Sequence, residues 1–137
     1  MQYWLMKSEP FAYSWEQLLK DKTTPWTGVR NYQARNNMKA MKKGDRAFFY
    51  HSNEGVEVVG IVEVCKEYYP DHTDETGRFG MVDVKALKPV PKPVTLAAIK
   101  SHKDLKDMAL LKQSRLSVSP VTAAEWKTIC ALGGVSA

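Results

Sequence analysis

Asp45-Arg46-Ala47-Phe48-Phe49-Tyr50-His51-Ser52, then Asn53-Glu54-Gly55, then Val56-Glu57-Val58-Val59-Gly60-Ile61-Val62-Glu63-Val64-Cys65-Lys66-Glu67-Tyr68: two apolar runs enclose a polar tripeptide. β-Branched and aromatic residues bounded by Asn and Gly read as two strands joined in a hairpin. In the second strand Val56, Val58, Val62 and Val64 are expected on one face, with Gly60 among them. A glycine inside a strand marks a bend or bulge, as at a barrel corner. Nearer the N-terminus, Tyr3, Leu5 and Lys7 alternate with Trp4, Met6 and Ser8, so apolar side chains point both ways. A strand of that kind is covered on both faces. The reading is an α+β fold: a closed or nearly closed barrel of about five to six strands with short helices packed around it.

The helices are announced by their caps. Ser14-Trp15-Glu16-Gln17 has capping-box form and opens a short helix to Lys20, with Trp15, Leu18 and Leu19 turned inward. Residues 21–29 read as a loop. Asn31 caps a second helix to about Met41, whose Ala34, Met38 and Met41 form a buried stripe. Residues 69–79 are a polar loop, and Met81–Val90 is a strand with Val82, Val84 and Ala86 on one face. Pro89, Pro91 and Pro93 then impose an extended connection. Thr95 caps another short helix, Ser114–Ser119 reads as the last strand, and Thr122-Ala123-Ala124-Glu125 is a capping box opening a terminal helix with Trp126, Ile129 and Cys130 inward.

A length of 137 residues suits one domain over 1–137 and a core that needs no staples. Cys65 and Cys130 lack metal-ligand spacing and read as buried, reduced thiols, so no metal and no cofactor is expected. The chain starts directly on a strand, without a basic leader, and no apolar run approaches ~18 residues. The expectation is therefore no membrane and a cytoplasmic location, nucleoid-associated or, in a eukaryote, nuclear. The net charge of +5 is segregated: residues 29–46 carry six basic groups against Asp45, residues 47–84 two against eight acidic, and residues 85–115 eight against two. If the basic segments met, they would attract phosphates. The Lys series at 85, 88, 92, 100, 103 and 106 carries almost no aromatics, which suits backbone contact or an ordinary solvated surface.

Four polar segments at strand ends and helix starts supply the candidate site: Lys7-Ser8-Glu9-Pro10, Trp26 to Asn31, Tyr50-His51-Ser52 and Arg115 to Val118. A Trp, guanidiniums, hydroxyls, an Asn and a His suit a flat, hydrogen-bonding, anionic ligand such as a nucleotide. They do not make a hydrolase triad. Trp26 sits between Pro25 and Gly28 and reads as a stacking platform, or as a core residue closing the barrel end. Arg30 takes a phosphate or forms a structural ion pair. Asn31 caps its helix or touches the ligand. Lys7, on the parity of Tyr3 and Leu5, points to the barrel mouth with Glu9 as its candidate partner. Ser8, His51 and Ser52 are candidate hydrogen-bonders, with His51 read otherwise as a structural histidine. Arg115 and Ser117 share a strand face and hold a phosphate or base edge, or pair with the acidic segment.

These segments resemble the EVE domain family, within the PUA-like superfamily. The likeness is carried by Tyr3 to Pro10, Trp26-Thr27-Gly28-Val29-Arg30-Asn31-Tyr32-Gln33-Ala34-Arg35-Asn36, Gly44-Asp45 through Phe48 to Ser52, Tyr69-Pro70-Asp71, and Arg115-Leu116-Ser117-Val118 with Pro120-Val121. It implies a PUA-like β-barrel related to the YTH and ASCH domains. The Lys7-Ser8 pair at a strand end resembles the YTH-like base pocket. Members of the superfamily bind RNA or read modified bases, and EVE proteins are thought to bind modified cytosines in DNA. The resemblance thus implies a modified-base reader with nucleic acid as partner: modified DNA first, with RNA open. A base read in so enclosed a pocket is flipped out or presented single-stranded. Separate effector proteins would carry any downstream action. Two alternatives stand beside it: a small amidohydrolase on free modified nucleosides, using Lys7 and Glu9, and a sensor of a nucleobase-like small ligand.

Overall fold

β1 (Tyr3–Ser8) lies between two neighbours, parallel to β3 (Arg46–His51) and antiparallel to β6 (Val118–Val121). The computed structural model describes residues 1–52 and 55–136, so Asn53 and Glu54 of the expected hairpin turn lie outside the described residues. The remaining pairings are antiparallel: β3 with β4 (Glu57–Pro70), β4 with β5 (Gly80–Thr95), and β5 with β2 (Thr23–Pro25). The six-stranded order is β2-β5-β4-β3-β1-β6. Helices α1 (Trp15–Asp21) and α2 (Tyr32–Ala40) follow β1 and β2; α3 (Leu96–Ser101), a 3-10 turn at Lys103–Leu105 and α4 (Ala109–Lys112) follow β5; α5 (Ala123–Gly133) ends the order. Helix α2 packs against β6 and also against β4 and β5. Because β6 and β5 sit near opposite ends of the strand order, the sheet must curl around α2. The result is the expected α+β barrel, approximate because β2 and β6 do not pair.

The sheet separates two cores, as the two-sided β1 demands. Trp4, Met6, Ala47, Phe49, Val62, Val64, Val82 and Val84 face the inner core, sealed by Trp15 and Leu18 of α1 and by Ala34 and Met38 of α2, with Met41 just after it. Leu5, Phe48, Tyr50, Val58 and Ile61 face the outer core, under α3 to α5. Residues of β3 alternate strictly between the two. Those of β4 do not: Val58 joins the outer core whereas Val62 and Val64 join the inner one, so the four valines do not share a face. The reason is Gly60. The β3–β4 register shifts between Phe49 and Tyr50, opposite Val58–Gly60, and one extra residue reverses the parity. A Cβ at Gly60 would lie 2.5 Å from the Trp15 ring. The glycine is therefore both the bend and the seat of α1.

Other expectations need correcting. Leu19 is exposed, and Cys65 is only half-buried. Residues 23–25 are not loop: β2 pairs Thr23–Pro25 with Asp83–Lys85. β5 runs on through its three prolines to Thr95. It can do so because β2 reaches no further than Lys85, leaving β5 an edge strand where missing N–H groups harm nothing. The last strand begins at Val118, since the Leu116 N–H bonds the Gln113 carbonyl and turns residues 113–116. The caps at Ser14, Asn31, Thr95 and Thr122 form as expected, each accepting a backbone N–H from the first turn. Thr122 and Glu125 complete a reciprocal capping box. Gln17, by contrast, bonds Asp21 instead of reaching back.

Candidate functional site

At the end of β1 the chain turns sharply and walls a cavity of about 340 Å³. That is the low end of the range for small-ligand pockets, roughly 300–1,000 Å³. β1 contributes Lys7 and Ser8, followed by Glu9; the turn adds Ala12 and Tyr13; β2 and its exit add Thr24, Pro25, Trp26 and Thr27. Three of the expected site residues, Lys7, Ser8 and Trp26, are therefore brought together. Tyr13 and Thr24 were not anticipated, and Thr27 lay within the Trp26–Asn31 segment without being singled out. Their signal was adjacency: Tyr13 precedes the Ser14 cap, and Thr24 and Thr27 bracket Pro25-Trp26.

Three polar groups in the wall already have partners. The Ser8 hydroxyl donates to the Tyr13 carbonyl (2.6 Å), so the oxygen is left to act as an acceptor. The Tyr13 hydroxyl donates to Asp21 (2.8 Å). Lys7 Nζ donates to the Ser114 carbonyl (2.7 Å), which spends one of three donors. Burial lowers the Lys7 pKa. Glu9 is not its partner: no Lys7–Glu9 ion pair forms. Trp26 is only 7 % exposed, meets Phe49 edge-on (5.6 Å, 86°) and donates its backbone N–H to Val82 O. It belongs to the inner core and the pocket wall together.

Arg30 and Asn31 lie beyond this wall. Arg30 donates to buried Asp71 (3.2 Å) and to Thr73 Oγ1 (3.0 Å), which is the structural ion pair. Asp71 also accepts from Gly28 N–H (2.9 Å) and from the Thr73 N–H and hydroxyl. Burial alone would raise the Asp71 pKa, but these donors outweigh it and leave it below the ordinary carboxylate value. Nearby Asp74 is pushed down to about 2, chiefly by the Thr76 hydroxyl. Gly28 serves this junction at φ +83°, a conformation that favours glycine. Asn31 caps α2 through Ala34 N–H (2.9 Å).

His51 and Ser52 stand one strand behind the wall. His51 pairs in register with Ser8, and its Nε2 accepts the Trp15 N–H (3.1 Å), so the imidazole is neutral and holds the start of α1. Burial lowers its pKa, against the opposing charges of Glu16 and Glu57. Ser52 N–H bonds the Ser8 carbonyl (2.9 Å). Arg115 and Ser117 occupy the turn before β6, not a strand face. That turn is tied to Lys7 through both the Ser114 and Ser117 carbonyls; Arg115 within it is exposed, and neither Arg115 nor Ser117 lines the pocket. The basic segments contact the acidic one, through Arg30–Asp71 and Lys85–Glu63. Among the described residues no group of three His, Cys, Asp or Glu is arranged for a metal, and no helix is long and apolar enough to cross a membrane.

Residues 2–132 match the family model described as the EVE domain. A protein of Rhodopseudomonas palustris solved by NMR is 57 % identical, with a TM-score of 0.93 over 98 % of this chain and 94 % of that one. The human THYN1 protein, crystallised in complex with DNA containing 5-methylcytosine, is 36 % identical with a TM-score of 0.93 over the whole of both chains. Thymocyte nuclear protein 1 of Gallus gallus is 38 % identical over 95 % of this chain and 68 % of its own length.

Proposed function

The chain belongs to the EVE domain family, and on that premise we propose that it binds a modified nucleobase in nucleic acid, a modified cytosine in DNA, in the pocket of Lys7, Ser8 and Trp26. The observation that carries this reading is the pocket itself: a cavity large enough for a base, walled by an aromatic and by donors and acceptors of fixed sense. Cytosine presents an exocyclic amino donor beside two acceptors, N3 and O2. The free lone pairs of Ser8 Oγ suit the donor, and the two uncommitted protons of Lys7 suit the acceptors. Thymine, with a carbonyl in place of the amine, meets Ser8 acceptor to acceptor. Trp26, Pro25 and Ala12 offer an apolar wall to a 5-methyl group. One buried methyl contributes about 0.8 kcal/mol, roughly a fourfold preference. Arg115, exposed on the turn that bonds Lys7, would take a phosphate. The THYN1 complex with 5-methylcytosine DNA supports the same reading, and a nuclear or nucleoid location fits it.

The test is binding to matched oligonucleotides bearing cytosine, 5-methylcytosine or 5-hydroxymethylcytosine at two salt concentrations. Selective binding that weakens with salt and is lost in Ser8→Ala supports the reader. Equal affinity for all three removes it. The alternative of turnover on free modified nucleosides has one observation in its favour, the lowered pKa of Lys7 in a wall that also carries Glu9. Product formation from a free nucleoside, abolished in Lys7→Met, would replace the reader with the enzyme.

A further inference from the structure

Phe11 is the most exposed large apolar side chain among the described residues, at 84 %. Nothing in the packing accounts for it: it joins neither core and makes no aromatic pair. Yet the turn that presents it is tightly built. Pro10 precedes it, and the Ala12 and Tyr13 N–H groups both bond the Glu9 carbonyl (2.9 and 2.8 Å). The Ser8 hydroxyl clamps the far side through the Tyr13 carbonyl. Three residues of the same turn, Glu9, Ala12 and Tyr13, line the pocket. A phenyl ring is thus held out in water, on a rigid turn, at the rim of the cavity.

We propose that Phe11 is a wedge that enters a DNA base stack and fills the gap left when the base read by the pocket swings out. This inference rests on the modified-base reading above and adds to it how a duplex is opened. A base inside a duplex cannot reach a cavity bounded by the end of β1, the turn after it and β2 without leaving its stack. Extrusion leaves its neighbours unstacked, and inserted apolar side chains are the means by which proteins offset that loss. An aromatic ring is sequence-tolerant in this role because every base has a π-face. Phe11 needs no rearrangement to act, since its turn is already hydrogen-bonded and its ring already free. Its place beside Ala12 and Tyr13 puts wedge and pocket on one short segment, so insertion and capture are parts of one docking event.

The experiment compares wild type, Phe11→Ala and Phe11→Leu on the same 5-methylcytosine sequence as a duplex and as a single strand, with 2-aminopurine beside the modified base as an unstacking reporter. Phe11→Ala is expected to weaken duplex binding by roughly tenfold, the loss of one base–aromatic stack. Single-strand affinity stays unchanged, because no gap forms there. Phe11→Leu restores part of the duplex affinity, the 2-aminopurine rise seen with wild-type duplex falls in Phe11→Ala, and Tm does not move in either variant. Equal loss on duplex and single strand, or no loss on either, overturns the wedge while leaving the reader intact. Failure of wild type to bind the modified base in either form overturns both.

Discussion

Phe48 and Phe49 are neighbours on β3, and each meets a tryptophan on its own side of the sheet. On the outer face Trp126 stacks flat between Phe48 (4.0 Å, 18°) and Tyr3 (4.5 Å, 22°) and is 2 % exposed. On the inner face Trp26 meets Phe49 at 86° and borders the pocket. The first tryptophan comes from the first turn of a helix capped at both ends; the second follows a three-residue edge strand. The ring on the helix is closed in by two stacked partners, whereas the ring at the strand exit is buried in the inner core and still borders the cavity. The outer face is therefore a sealed core, and the inner face is a core whose open end became a cavity.

That contrast can be broken most forcefully by truncation. Trp126→Ala should lower stability by about 3–5 kcal/mol, measured by denaturant unfolding, with little change in the affinity of the protein that remains folded. Trp26→Ala should lie near the low end of that range, about 3 kcal/mol, and should also weaken oligonucleotide binding, because it removes part of the pocket wall. Equal stability losses with no binding defect in Trp26→Ala would erase the distinction. Asp71→Ala comes next: it strands the Gly28 and Thr73 N–H groups and Arg30, and should cost about 1–3 kcal/mol. Because this junction follows Trp26 directly, the variant should also loosen the pocket.

A smaller effect is expected from pH. The folded-state pKa of His51 lies below its ordinary value, so folding favours the neutral imidazole. Its contribution is complete above about pH 6.5 and is lost as pH falls through the lowered folded pKa. As pH falls from 7 toward 5, the protection factor of the Trp15 amide, corrected for the slower intrinsic exchange at low pH, should drop on the inner side, while those of the α5 amides hold. The smallest effect is at Lys22, among the described residues the non-glycine residue with positive φ (69°), between α1 and β2. Lys22→Gly should be neutral or stabilising by up to about 1 kcal/mol, because relief of strain offsets added backbone freedom. A clear loss in thermal unfolding would mean that the Lys22 side chain has a role in the inner face.

By itself the sequence determined the elements that depend on near neighbours: the caps at Ser14, Asn31, Thr95 and Thr122, the two-sided β1, the stripe of α2, and the bend at Gly60. Each is decided within a few residues by hydrogen-bonding side chains or periodicity. It also determined that Lys7, Ser8 and Trp26 were worth watching, because strand ends and loops gather polar groups. Only the tertiary structure decided which partners those groups meet. Arg30 finds Asp71, 41 residues away, and Lys7 finds Ser114, 107 residues away. Pattern could not reveal that the bulge at Gly60 sends Val58 to the other core, nor that Pro89, Pro91 and Pro93 are admitted because β2 stops at Lys85. The same holds for the pocket, whose walls come from two segments joined through the sheet. Local propensity fixes φ, ψ and side-chain parity; long-range pairing fixes register, and register decides which side chains share a cavity.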